Sequence, residues 1–302
     1  MTAPIFAPGS QRGAALMQRA VRGRSLWEDA LRRLLRNRAA VSGMIMLAVL
    51  VAAAVIGPFL SPYAYDAINK QDVWTPPLTD GHLLGTDSLG RDQLARLLMG
   101  LRVSLSIGLV ATLVSLAIGV AWGAVAGFLG GAVDEVMMRI VDVLYSLPFI
   151  FFVILLMVTF GSNIILIFIA IGAVEWLTMS RIVRGQTLSL KQKEFVEAAQ
   201  AAGLTQGAII FRHIVPNLLG PVVVYVTLTI PAVILAESFL SFLGLGVQPP
   251  MASLGTLIAG GAQDMELAWW LLVFPSLTMV VTLMCFNFIG DGLRDAIDPK
   301  DR

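Results

Sequence analysis

Residues 185–221, GQTLSLKQKEFVEAAQAAGLTQGAIIFRHIVPNLLGP, form a basic, helix-prone segment between two long apolar stretches. A connection that merely rejoined two membrane spans would need a few polar residues. This one carries Phe195, Val196, Ile209, Ile210, Phe211 and Ile214, side chains that are costly to leave in water, so protein is expected to cover it. Ser189 followed by Gln192 has the spacing of a capping box, and residues 193–202 are rich in strong helix formers, which predicts a helix of about three turns. Gly203 offers the left-handed backbone of a helix end, and Thr205 is placed to cap a second helix. Pro216 is expected to stop that helix, because the residue before a proline is pushed out of helical geometry. The product is a protruding knob of two short helices. Phe195, Ala199 and Ala202 stripe the first helix, Ile210 and Ile214 the second; such stripes suit a groove on another protein or the ends of the chain's own spans.

The chain has 302 residues, 57% hydrophobic and 14% charged, with mean hydropathy +0.81, which places it in a bilayer. A span needs roughly 20 mostly apolar residues. Six stretches qualify: 39–60, 103–129, 139–160, 163–184, 220–246 and 268–290. The fold expected is all-α and polytopic, with a 1–38 N-terminal segment, a 61–102 loop, a 103–290 core of five spans and a 291–302 tail. The third span begins at Arg139, holds Asp142 and contains Pro148, so a kinked or late-starting helix is expected there.

Eight arginines in the first 38 residues place the N-terminus in the cytoplasm, and an even span number returns the C-terminus to the same side. Arg181, Arg184, Lys191, Lys193 and Arg212 then fall inside, whereas 237–290 contains no Lys or Arg. The 130–138 turn is acidic although placed inside, a mild discordance because acids count little in this rule. No cleaved leader is expected. Trp27, Leu31, Leu34 and Leu35 share one face of a helix whose arginines suit lipid head groups. Outside, Thr86 and Asp87 are expected to cap a short helix resting on the membrane surface or a partner through Leu94, Leu97 and Leu98, with Asp92 paired to Arg96. Trp269 and Trp270 are expected to anchor the last span at the outer interface.

Several chemistries are excluded. None of the four lysines follows a glycine, so the phosphate-binding GxxxxGK[ST] loop is lacking. Two isolated histidines, His82 and His213, supply no HExxH motif, and deep ionisable residues are few, with Glu175 and Glu237 the candidates. No catalytic residue, metal site or bound cofactor is expected in this chain, and its +1 net charge gives no reason to invoke nucleic acid. Lone Cys285 cannot form an internal disulfide.

Glu197, Ala198 and Ala199, then Gly203 six residues after the glutamate and Pro216 nineteen after it, resemble the EAA loop of bacterial ABC import permeases. The wider family often has isoleucine at the position of His213 and leucine at that of Val215. HLLGTDSLGRD (82–92), SLPFIFFVILL (146–156), ESFLSFLGLG (237–246) and FIGDGLRDAIDPKDR (288–302) resemble the peptide-import branch, closest to its C-type oligopeptide permease subunits. The resemblance runs from about Ser25 to the C-terminus.

It implies a type I importer permease in the bacterial inner membrane, paired with a second homologous permease. Two ATP-binding subunits carrying ATP and Mg²⁺ and an extracytoplasmic peptide-binding protein complete the assembly. It also implies that Phe195, Glu197, Ala198, Ala199, Gly203, Ile210, Arg212, His213 and Pro216 serve coupling to the ATP-binding subunit. Glu197 would pair with the partner or cap its own helix; Gly203 reads as backbone geometry. Tyr145, Asn163, Glu175, Trp176, Thr178 and Glu237 are the candidates for a roomy, weakly binding passage. Glu175 would face a water-filled cavity or sit in a structural pair. Glu237 would line the passage, meet the binding protein or cap the LGLG turn. Dipeptide, nickel, glutathione and antimicrobial-peptide importers share the architecture, and an ion-coupled carrier or a membrane scaffold is the reading from another class.

Overall fold

Residues 26–161 and 164–297 are described by the computed structural model, and every regular element among them is a helix. In chain order these are α1 (Leu26–Arg36), α2 (Arg38–Leu60), α3 (Gln93–Leu129), α4 (Gly131–Ser146), α5 (Phe149–Phe160) and α6 (Ile164–Lys191). There follow α7 (Glu194–Ala201), α8 (Gln206–Ile209) with a π turn at Ile210–Ile214, α9 (Val215–Phe242), α10 (Leu254–Gln263) and α11 (Trp270–Ile297). Five of the helical runs are long and apolar enough to cross a membrane, six if α4 and α5 count as one bent span.

The most extensive pairing is between α3 and α6. Gly119, Gly123 and Gly127 recur every four residues and so lie on one face of α3. A Cβ at Gly123 would collide with the Ser180 carbonyl oxygen, at Gly119 it would sit 2.6 Å from the Met179 Cβ and at Gly127 2.9 Å from the Arg184 carbonyl oxygen. Only glycine lets the two backbones approach this far. Further along, Val103, Ile107 and Ala111 of α3 build a core with Val153, Met157, Ile167, Ile171 and Val233.

The acidic stretch expected as a turn at 130–138 is instead the start of α4, pulled into helix by its hold on α6. Nε and Nη2 of Arg184 donate to the two carboxylate oxygens of Asp134 at 2.6 Å each, and Arg181 donates to Asp142 at 2.8 Å. The expected kink at Pro148 is a full break of 82°. Proline has no N–H to continue α4 and holds Leu147 extended (φ −75°, ψ 130°).

At the end of the bundle bearing residues 61–92, the expected short helix does not exist separately. Helix α3 begins at Gln93 and runs on without interruption, and its cap is Asp92, which accepts from the Ala95 amide at 2.8 Å. Asp92 does not pair with Arg96. It binds His82 (2.8 Å), whose other ring nitrogen faces Asp72 at 3.6 Å, while Arg96 turns to Asp87 (3.4 Å). The reason is burial: both residues lie inside the structure, where each needs a close partner. Leu97 likewise packs on Leu101, Ala252 and Leu254 and is withdrawn from any membrane surface. Trp270, expected as an interfacial anchor, is buried and donates its indole N–H to the Thr86 carbonyl at 3.1 Å; Trp269 stays exposed. On α1, Leu34 alone of Leu31, Leu34 and Leu35 turns inward, against Ala40 and Ala296.

Glu237 is fully buried where α3, α9 and α10 meet. Its carboxylate accepts from the hydroxyls of Ser241 and Ser253 at 2.6 Å each and from Ser104 at 3.4 Å. Ser253 also caps α10, taking the Thr256 amide at 3.1 Å, and Ser104 accepts the Leu254 amide at 3.0 Å. The expectation that Glu237 lines a passage, meets another protein or caps the LGLG turn is therefore corrected: it is an internal tie, enclosed because three hydroxyls satisfy it. Glu237→Ala, which strands these hydroxyls and leaves a void, is expected to lower the melting midpoint of the detergent-purified protein by roughly 5 °C. Isosteric Glu237→Gln should lower it less, as read by scanning fluorimetry.

Candidate functional site

Two features converge on α6: the knob at its C-terminal end and a cavity along its middle. The knob differs in detail from the helix pair expected. Ser189 lies within α6, which continues to Lys191, and its hydroxyl turns back to the Gly185 carbonyl (3.4 Å), so the Ser189–Gln192 capping box does not form. Helix α7 is correspondingly about two turns, closed by a Schellman arrangement: Leu204 N–H donates to the Ala199 carbonyl at 3.2 Å and Gly203 N–H to that of Gln200 at 2.9 Å. Gly203 has φ +79°, and a Cβ there would meet nothing within 4 Å, so the glycine is required by backbone conformation and not by space. Thr205 caps α8 through the Ala208 amide at 3.4 Å, as the sequence predicts.

Pro216 does not stop the second helix. Residues Gln206–Phe242 form one continuous helical run. A proline in regular α geometry collides with the carbonyl four residues earlier, and the wider π turn at Ile210–Ile214 just before it supplies the room. The knob is thereby fused to α9.

The stripes divide between the two readings the sequence left open. Val196, Ala199, Ile209, Ile210 and Ile214 are buried against Ala124, Phe128, Met179, Val183 and Leu218 of the chain's own spans. Phe195 remains 38% exposed and Phe211 76%; Glu197, Ala198, Ala202 and Arg212 are exposed with them. Ile210, expected on the coupling face, therefore points inward, and the outward position belongs to Phe211 beside it. Ala199 is also turned inward. His213 is half-buried with its ring 6.5 Å from that of Phe195, and Pro216 is exposed in the first turn of α9.

The cavity, of about 650 Å³, opens where α4 breaks from α5. Tyr145, Glu175, Trp176 and Thr178 all line it, together with Ser146, Pro148, Phe152 and Ala236. Four of the six predicted pathway residues are thus brought together. Asn163 lies outside the described residues. Glu237 is not part of the cavity, although its neighbour Ala236 is, because successive helical residues point about 100° apart. Trp176 has most of its indole turned to Trp122, with ring centroids 5.3 Å apart. Beside the mouth, Arg181 sits over the Tyr145 ring at 4.3 Å while bonded to Asp142. Sequence reasoning missed the contacts within this trio and, although it counted Phe211 among the apolar side chains needing cover, left it out of the coupling residues. The one available signal was that Arg181 and Asp142 are opposite charges on consecutive predicted spans.

Known proteins match this architecture. The family profile described as binding-protein-dependent transport system inner membrane component covers residues 119–302, and that for the N-terminal TM domain of oligopeptide transport permease C covers 25–77. The oligopeptide transport system permease protein OppC of Escherichia coli K12 is 57% identical over 283 residues, 93% of this chain and 94% of that protein. OppC of Bacillus subtilis is 42% identical over 99% of this chain and 97% of its own length, and the dipeptide transport system permease protein DppC of the same organism 46% over 92% and 87%. Among solved structures, an inward-facing MetNI methionine ABC transporter superposes with TM-score 0.55 at 18% identity, covering 66% of this chain and 94% of that chain, a likeness of fold. With a knob fused to two spans, a cavity beside it and identity of this extent along the whole chain, this protein belongs to the binding-protein-dependent transport system inner membrane component family, in its group of C-type oligopeptide permeases.

Proposed function

We propose that this chain is the inner-membrane permease subunit of an ATP-driven importer of oligopeptides, paired with a second permease and seated on two ATP-binding subunits through residues 194–214. Both termini lie in the cytoplasm, ATP and Mg²⁺ are held by the partner subunits, and an external binding protein delivers the peptide. No catalysis is assigned to this chain. Relatives named for oligopeptide transport over more than nine-tenths of the chain support the substrate class; the 46% identity to a dipeptide permease supports dipeptides as the second reading.

One observation carries the coupling role: the knob has two faces. One is locked into α3, α6 and α9, and the other leaves Phe211 and Phe195 in solvent. A large exposed aromatic on a firmly held support has the character of an interface anchor awaiting a pocket. Glu197 and Arg212 flank it with charges of both signs, so a partner groove of mixed charge suits it.

Phe211→Ser removes that anchor without touching the buried face. It should leave membrane insertion intact and reduce both peptide uptake and binding-protein-stimulated ATP hydrolysis by the reconstituted complex about tenfold or more. At Gly203 the expected order of uptake is glycine, then Gly203→Asn, then Gly203→Ala, because asparagine tolerates positive φ and alanine there costs roughly 1 kcal/mol. Orientation is checked by single cysteines in a Cys285→Ser background: Lys70→Cys should react with an impermeant maleimide from outside intact cells, and Thr205→Cys only after permeabilisation.

A further inference from the structure

We infer that Glu175 is a cation subsite in the cavity wall and that the group it takes is the primary ammonium at the amino terminus of a passing peptide. The inference rests on the reading of the cavity as part of the passenger's path.

Glu175 is the only carboxylate among the described residues lining the cavity, whose other walls are mostly apolar. Among the described residues it has no hydrogen-bond or ion-pair partner. The nearest cations along its own helix are committed elsewhere: Arg181 is bonded to Asp142 at 2.8 Å and covers the Tyr145 ring, and Arg184 grips Asp134. An acid in the middle of a membrane helix, in a largely apolar recess and without a fixed counter-charge, calls for a mobile one.

The surroundings select its chemistry. The described residues of the lining supply no second acid, histidine or thiol, so a divalent metal finds too few ligands. It does supply the hydroxyls of Thr178 and Ser146 and the ring surfaces of Phe152 and Tyr145. One carboxylate with hydroxyls and aromatic faces is a fitting set for an ammonium, which has three donors and a charge that rings attract. The described residues of the lining include no Lys or Arg to meet the opposite, carboxylate end of a peptide. An amino terminus is common to peptides of any sequence, so a single acid serves varied passengers without reading their side chains.

The test uses the assembled complex carrying Cys285→Ser and Thr178→Cys, which places a thiol one helical turn from Glu175. Trimethylammonium-ethyl and sulfonato-ethyl methanethiosulfonate are compared, each rate normalised to that with a free thiol. The cationic reagent should be favoured about tenfold, and Glu175→Gln should abolish the preference. Reaction without charge preference overturns the inference and leaves the path intact; no reaction with either reagent overturns the path reading itself. In a second arm, uptake of Ala-Ala-Ala and Ala-Lys-Ala is measured with glutamate, aspartate or glutamine at 175. Glu175→Gln should slow both peptides by the same factor, about fivefold, with Glu175→Asp recovering most of the loss. A loss confined to Ala-Lys-Ala would assign the contact to a side-chain ammonium and overturn the terminal one. Unchanged uptake of both would overturn the inference while leaving peptide transport standing.

Discussion

The closeness of α3 to α6 is the constraint on which the rest of the structure depends. In a bilayer, lipid tails are as apolar as leucine, so helices associate through packing and polar contacts instead of escape from water. Gly119, Gly123 and Gly127 bring the α6 backbone within contact distance of α3. With that spacing fixed, Asp134 and Asp142 of α4 come within bonding distance of Arg184 and Arg181, and the cavity acquires its wall. A bulkier residue at Gly123 would meet backbone, which cannot yield as a side-chain tip does.

Helix α6 joins the knob and the cavity directly. Glu175 and Thr178 face the cavity, Arg181 and Arg184 hold α4, and three residues beyond Lys191 the knob begins. From Glu175 to Lys191 is about 24 Å along a rigid rod. Because the π turn also fuses the knob to α9, which supplies Ala236 to the cavity, a push on the exposed knob face reaches that wall by two routes.

The spans, the break at Pro148, the Gly203 turn and the clustering of Tyr145, Glu175, Trp176 and Thr178 were legible in the sequence, because hydropathy, proline and the positive-φ preference of glycine act locally. The misreadings share a cause: they concern partners chosen by tertiary packing. Asp92 and Arg96 stand at ideal helical spacing, yet each takes a partner from the 61–92 segment. Glu237 looked like a passage residue because a membrane acid is rare, and nothing local announces that Ser104 and Ser253 converge on it from 133 residues upstream and 16 downstream. Pro216 failed as a stop because a π turn absorbs its ring, a rearrangement without a strong sequence signature. GVAWGAVAG (119–127), by contrast, spells out its small-residue repeat and was available to be read.

The two-faced knob also separates two kinds of evolutionary pressure. Its inner residues, Val196, Ile209, Ile210 and Ile214, pack on Phe128, Met179 and Leu218 and are constrained by them. Its outer residues, Phe195, Glu197, Phe211 and Arg212, answer to whatever docks there. On the proposed docking role, substitutions at these few surface positions would change what the knob fits while leaving the packing beneath them unchanged.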